Sequence, residues 1–419
     1  MSVERQKGTI SRRQFLQLGA VGGVVAATGS LLAGCAAPNI GGGASGPLKI
    51  GVLLPYSDIY AALGESITEG MRMYFESVDN RAGGRPIELI TEDEGTAPDA
   101  AAQKARKLVE QDQVDLVAGI VSSGVAAALR DYFHDNQKFL IIANAGANAL
   151  TRAAKSPYIF RASFTNWQPN WPMGSWAAAN LGRRAFISVP DYGAGKDTIS
   201  AFTHSFTAAG GEIVKVQLTP FPNIGDPAPF LAEIQAAAPD FVYSFYSGAA
   251  AVTFVKAYSD FGLTGSIPLA GSGFMVEQDV LPSHGSSALG IKSALHWALT
   301  LDNAENQAFV AAFAQRELPS GNKGANVFAV QGYDTARLIV EALNAVEGDM
   351  SRTDDLIGAF GSAAFPSPRG AFKMDSTTHN VINPIYIREV QEVNGTIANV
   401  VLTSVGEVPD PGDNSKDAV

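Results

Sequence analysis

The chain has 419 residues, 46% hydrophobic and 17% charged, with a formal net charge of −11 at pH 7. The first 34 residues carry four positive charges (Arg5, Lys7, Arg12, Arg13) and one negative (Glu4), so the remainder stands near −14, which argues against nucleic acid or an anionic membrane surface as a partner. A single cysteine excludes an internal disulfide, and five histidines (His134, His204, His284, His296, His379) in no ligand spacing give no reason to expect a metal or a cofactor.

Ser11-Arg12-Arg13-Gln14-Phe15-Leu16 is a twin-arginine export pattern, followed by a Gly/Ala-rich apolar run over 16–33 and by Leu32-Ala33-Gly34-Cys35. About 18 apolar residues can span a bilayer. Here positive charges lead the run and small residues close it at the cysteine, so a cleaved signal over 1–34 is the better reading. Leu-Ala-Gly-Cys resembles the lipobox of bacterial lipoproteins, which implies lipid attachment at Cys35 and contact with the membrane through that anchor only. The protein is then exported and held on the outer side of the cytoplasmic membrane. Residues 35–47, with Gly41-Gly42-Gly43, read as a flexible linker.

The mature length allows two domains with sizeable cores. Residues 48–54 predict a strand stopped by Pro55, and Met71, Tyr74, Phe75 and Val78 recur at helical spacing after Ile67. A strand over 87–90 and a helix over 101–111 follow. Next come a buried strand at 116–119, the turn Ser122-Ser123-Gly124, and the opening of a helix. Helix N-termini leave backbone N–H groups unpartnered and carry partial positive charge, so this turn can hold a carboxylate without lysine or arginine. Capping of the helix by Ser122 and Ser123 is the plainer alternative. A second donor-rich turn, Asn144-Ala145-Gly146-Ala147-Asn148, ends the strand after Phe139. Strands alternating with helices predict a parallel α/β sheet covered on both faces, with a crevice at its carboxyl edge.

The pattern pauses after Pro157-Tyr158-Ile159-Phe160-Arg161 and restarts. Strands are expected at 184–189, 213–218, 241–245 and 268–273, with helices at 196–209, 230–238, 249–261 and 327–346. A closing hairpin spans 385–402, and the chain after Pro409 is expected to be disordered.

In this order the residues resemble the Leu/Ile/Val-binding proteins, the type I solute-binding proteins of ABC transporters. The likeness runs from about Leu48 to Leu402. It rests on Ile50-Gly51-Val52, Ser122-Ser123, Asn144-Ala145-Gly146-Ala147, Phe160-Arg161, Asp191-Tyr192-Gly193, Leu301-Asp302-Asn303 and Gly332-Tyr333-Asp334. The resemblance implies an α/β fold of two Rossmann-like lobes closing on a ligand about a hinge of three crossovers. Lobe 1 is expected at 48–161 plus 301–368, lobe 2 at 162–300 plus 369–405, and a tail at 406–419. The crossovers fall near Arg161, His296 to Leu301, and Arg369 to Phe372. It also implies a carboxylate held by Ser122 and Ser123 with Ala145, Gly146 and Ala147, a tyrosine closing over it at Tyr192, and a wall at Phe245, Tyr246 and Ser247. The implied partners are a small carboxylate or amino acid and the permease subunits, with the chain itself a monomer and not an enzyme.

One departure bears on the ligand. Amino-acid binders of this family carry an acidic residue where Ser272 stands, pairing with the ammonium, and Glu277 or Asp191 are the candidates to replace it. Relatives that bind aromatic acids lack that acid and line the cleft with rings. Tyr56, Tyr60, Trp167, Phe245, Tyr246 and Phe274 lie near expected cleft positions. A branched-chain amino acid and an aromatic acid therefore both stand as ligands. A hydrolase finds no Gly-x-Ser-x-Gly, and nucleotide chemistry no phosphate loop. A sensor role would call for an output domain or a second apolar span, and the sequence shows neither.

Overall fold

Strand Leu48–Leu54 is almost wholly buried, the pattern of a central strand covered on both faces. In the computed structural model, which describes residues 46–321 and 324–412, it lies between the parallel strands Arg85–Asp93 and Leu116–Gly119. Leu140–Ile142 and Ile159–Arg161 extend the sheet outward. The twin-arginine pattern, the apolar run and Cys35 lie outside the described residues. Residues 184–295 repeat the arrangement. Arg184–Pro190 sits between Glu212–Thr219 and Phe241–Ser244, with Leu269–Ser272 and Lys292–Leu295 beyond.

Both half-sheets thus run second, first, third, fourth, fifth. In each, the chain changes winding direction between its first and third strands. Ligands of open α/β sheets bind outside the carboxyl ends of the strands at that point. The chain is therefore a doubly wound α/β protein with two such crevices, and the two lobes belong to one compact unit.

The pause expected after Arg161 is instead helix Trp167–Asn180. Pro169 and Pro172 break up its apolar period, which is why the pattern conceals it. The chain passes between the half-sheets three times. The first crossing follows Arg161, and the second lies between Leu295 and helix Ala304–Phe313. The third differs from expectation. Hairpin Ala364–Ser367 with Gly370–Asp375 belongs to the first half-sheet, so the crossing falls within strand Asn380–Val393. The start of that strand pairs with Arg161 and Gly370–Asp375, while residues 386–389 pair with Lys292–Leu295. The boundary between lobes thus moves from 368/369 to the neighbourhood of Asn383. The last strand, Thr396–Val408, also runs past the expected end at 405. Asp410 is buried with Oδ1 3.6 Å from Arg152 Nε, so the chain stays packed beyond Pro409. The rest of the expected tail, 413–419, lies outside the described residues.

Buried polar side chains tie the crossings together. Arg369 donates to Asp334 Oδ2 (2.8 Å), to the Ser163 carbonyl (3.0 Å) and to Asn383 Oδ1 (3.0 Å). Gln168 donates to the carbonyls of Val381 and Val408 at 2.9 and 2.6 Å. Charges in an interior are tolerable only when paired, and here the pairs bind the crossing segments to one another.

Candidate functional site

Every loop that follows a strand at the two switch points turns into one shared cleft. From the first lobe come Tyr60 and Leu63, then Val121 and Ser123, then Asn144 and Gly146. The second lobe supplies Tyr192 and Ala194, Phe245 and Ser247, and Phe274. Phe164 and Asn166 arrive on the first crossing, and Phe328 on the first turn of helix Val327–Ala345. No lysine, arginine, aspartate or glutamate is among these lining residues.

Six of these lining residues are rings: Tyr60, Phe164, Tyr192, Phe245, Phe274 and Phe328. Phe274 is the hub, with centroids 4.6 Å from Phe164, 5.8 Å from Phe328 and 6.4 Å from Phe245. Tyr192 stacks on Phe221 at 4.2 Å, and its hydroxyl meets that of Tyr60 across the cleft at 3.3 Å. Burial pushes the pKa of both phenols up, so they remain neutral hydrogen-bonding groups. Behind Phe164, His296 is kept neutral by burial and by the Arg369 and Arg388 charges. Gln331 accepts from Asn144 Nδ2 (2.7 Å), which leaves its own amide nitrogen to donate to His296 Nε2 (3.2 Å).

Three helices begin at this cavity: Ser123–Asp135, Gly193–Ala208 and Gly248–Asp260. The first two face each other, since a Cβ on Gly193 would lie 4.0 Å from Ser123 Cβ. Converging helix N-termini supply partial positive charge and free N–H groups without any cation. The chain already uses some of that capacity. Glu94, buried at the end of strand Arg85–Asp93, accepts the N–H groups of Val121 and Ser122, both at 2.8 Å. Its carboxyl is pushed up to about 8, chiefly by burial, against the pull of those two amides. The turn it braces holds Ile120 at φ +67°, a costly conformation for a β-branched residue. Ser123, one position further, is left facing the cavity.

Of the residues singled out from the sequence, Tyr60, Ser123, Gly146, Tyr192, Phe245, Ser247 and Phe274 line this cavity together. Ser122 does not reach it, because its N–H is committed to Glu94, and its side chain makes no capping bond. Ala145 and Ala147 sit behind the turn, where their carbonyls accept from Arg161 Nη1 at 3.3 and 2.7 Å. Tyr246 points away to Ser188 (3.2 Å) and Thr219 (3.0 Å), and Ser272 is buried beneath the Phe274 turn. Tyr56 bonds Thr68 (2.7 Å) and Trp167 stacks on Trp171 (5.9 Å), both away from the lining. Neither candidate acid takes up the vacant role. Glu277 is paired with Arg388 (2.9 Å) and accepts the Val327 N–H (3.0 Å), and Asp191 pairs with Lys196 (3.2 Å) on the surface.

Asn144, in the donor-rich turn the sequence pointed to, lines the cleft as well. Sequence reasoning missed Glu94, Asn166, Leu63, Phe164 and Phe328. Glu94 closes an acidic run, Glu92-Asp93-Glu94, that reads as a solvated strand end. Phe164 and Asn166 follow the end of strand Ile159–Arg161, and Leu63 and Phe328 lie in the first turns of helices Ala61–Ser77 and Val327–Ala345, where position alone was the available signal. Among the described residues no cluster of His, Cys, Asp or Glu is placed to hold a metal, and no helix is long and apolar enough to cross a membrane.

Comparison with known proteins agrees with this architecture. A family profile described as periplasmic binding protein matches residues 47–396. Leu/Ile/Val-binding protein homolog 6 of Brucella melitensis is 30% identical over 370 residues, covering 87% of this chain and 93% of its own. An ABC transporter solute-binding protein of R. palustris, solved in complex with benzoate, is 39% identical with a TM-score of 0.80, covering 87% of this chain and 98% of its own. Another from R. palustris, in complex with 4-hydroxybenzoate, is 30% identical with a TM-score of 0.81 at the same coverage.

Proposed function

The chain belongs to the periplasmic binding protein family, and on that footing we propose that it captures a small aromatic carboxylate outside the cytoplasm and delivers it to an ABC permease. It binds its solute and does not transform it. The observation that carries the choice of ligand is the make-up of the cleft. Three helix N-termini and the Ser123 hydroxyl converge on it, rings line it, and no acidic side chain enters it.

Each part of that list selects a feature of the ligand. A carboxylate loses hydration on burial and must regain hydrogen bonds, which Ser123 and the helix ends offer. An α-ammonium would be buried without a counter-charge, a cost of several kcal/mol by order of magnitude. The rings around Phe274 favour a flat apolar body, each aromatic pair adding about 0.5–1.5 kcal/mol beyond area burial. The branched-chain amino acid reading lacks the acid it needs. The family's solute-bound relatives with benzoate and 4-hydroxybenzoate are in keeping with this choice.

Capture proceeds by hinge closure. The carboxylate docks first at Ser123 and the helix N-terminus it opens, and the second lobe brings Tyr192 and Phe245 over the ring. Residues 1–34 then serve as the export signal and Cys35 as the lipid attachment point that keeps the protein near its permease. A thermal-shift comparison of benzoate, cinnamate, leucine, isoleucine and valine tests the ligand class. A ligand at 100 times its dissociation constant adds about 2.7 kcal/mol. Stabilisation by the aromatic acids alone is expected, and stabilisation by the aliphatic amino acids alone would overturn the reading.

A further inference from the structure

Asn166 is 1% exposed and contributes to the cavity wall where the chain first crosses between lobes. Its Nδ2 donates to Asp197 Oδ2 at 3.0 Å, and the same oxygen accepts the Asn148 N–H at 3.0 Å. A carboxylate oxygen accepting twice fixes which way round the amide sits: nitrogen toward Asp197, oxygen away from it. That oxygen, Oδ1, is buried and has no partner. It packs against the 144–147 turn, only 2.5 Å from where a Cβ on residue 146 would stand, an approach that only glycine at 146 permits.

A buried acceptor without a donor has lost its water and gained nothing in return. The ring-lined wall offers it nothing, and the carboxylate of a bound acid, being an acceptor itself, cannot relieve it. An ammonium could donate, but the lining holds no charge to neutralise it. What remains is a neutral O–H on the ligand. Resting on the aromatic-carboxylate reading above, we propose that Asn166 Oδ1 is the specificity-determining acceptor for a ring hydroxyl, so that the preferred solute is a hydroxylated aromatic acid and not the bare one. Asp197 is the positioning residue that keeps the amide turned the right way. A site built to hydrogen-bond a ligand hydroxyl discriminates strongly against the analogue without it, because its own polar atom is then left unpaired.

The test is calorimetric titration of the full mature chain with benzoate and with 2-, 3- and 4-hydroxybenzoate. At least one hydroxybenzoate is expected to bind about 10-fold or more tightly than benzoate, in line with about 1.4 kcal/mol per decade. Asn166→Leu, and Asn166→Ala should the larger side chain not be accommodated, are expected to erase that preference, the affinity for the favoured hydroxybenzoate falling about 10-fold further than that for benzoate. The ratio of two affinities is the readout, and a general loss of packing would lower both alike. Equal binding of all four acids by the wild type, or a preference that survives both substitutions, overturns the assignment of Asn166. Failure of every acid to bind overturns the ligand reading beneath it, and the assignment with it.

Discussion

Glu94 gives the account a quantitative consequence that needs no ligand. Burial lifts its carboxyl from the ordinary 4.5 to about 8, with repulsion from Asp93 in the same direction and the Val121 and Ser122 amides opposing. The folded chain therefore keeps this proton through a range in which the unfolded chain has released it. Stability contributed in this way is fully present below pH 4.5 and is lost as pH rises through about 8. At 1.36 kcal/mol per unit, the linkage amounts to a loss of about 3.5 kcal/mol between about pH 5 and pH 8. Asp197, Glu277, Asp279 and Asp334 are raised as well, chiefly by burial, and tilt the wild-type profile the same way. The difference between wild type and Glu94→Gln isolates the one residue. Glutamine can accept only one of the two amides, so the variant should be the less stable protein near pH 5 by about 1–3 kcal/mol. Urea unfolding at a series of pH values should show that deficit disappear and reverse, a change of about 3.5 kcal/mol in the difference, as pH approaches 8. A difference that stays constant across the series would refute the placement of a protonated carboxyl behind the Ser123 turn.

Other substitutions probe the remaining parts. Ser123→Ala removes a charge-assisted hydrogen bond worth about 1.5–3 kcal/mol, so affinity for an aromatic acid should fall about 10- to 100-fold by calorimetry with little change in melting temperature. Gly248 has φ +56°, and a Cβ there would lie 2.3 Å from the Ile59 carbonyl of the opposing lobe. Gly248→Ala should therefore hold the lobes apart. Small-angle scattering is expected to show no ligand-induced contraction where the wild type contracts. Glu277→Ala strands Arg388, which is fully buried, and should destabilise the fold by about 3–5 kcal/mol in the same urea assay.

Much of this was legible because parallel strands announce themselves. The runs at 48–54, 116–119 and 241–244 are almost wholly buried and stand out as nearly continuous apolar stretches. Once strands alternate with helices, the crevice must lie at their carboxyl ends, so the turns holding Ser123 and Gly146 were within reach of position, while Tyr192, Phe245 and Ser247 came from the resemblance to the Leu/Ile/Val-binding proteins. What stayed hidden depended on contacts between distant segments. Glu94 reaches Ser122 across 28 positions, and Asn166 reaches Asp197 across 31. Neither pairing leaves a local signature. The third crossing was misplaced because hairpin 364–375 has the same alternation in either sheet, and only its pairing with Val381 and Ile382 decides which one it joins. Helix Trp167–Asn180 was lost to its two prolines.

The most direct trial of the central claim is a crystal structure of the mature chain grown with benzoate or the tightest-binding hydroxybenzoate. The account predicts a closed cleft with the carboxylate about 2.7 Å from Ser123 Oγ, its ring among Phe164, Phe245 and Phe274, and no cation beside it. A carboxylate at the opposite end of the cleft, or paired with a lysine or arginine, would contradict it.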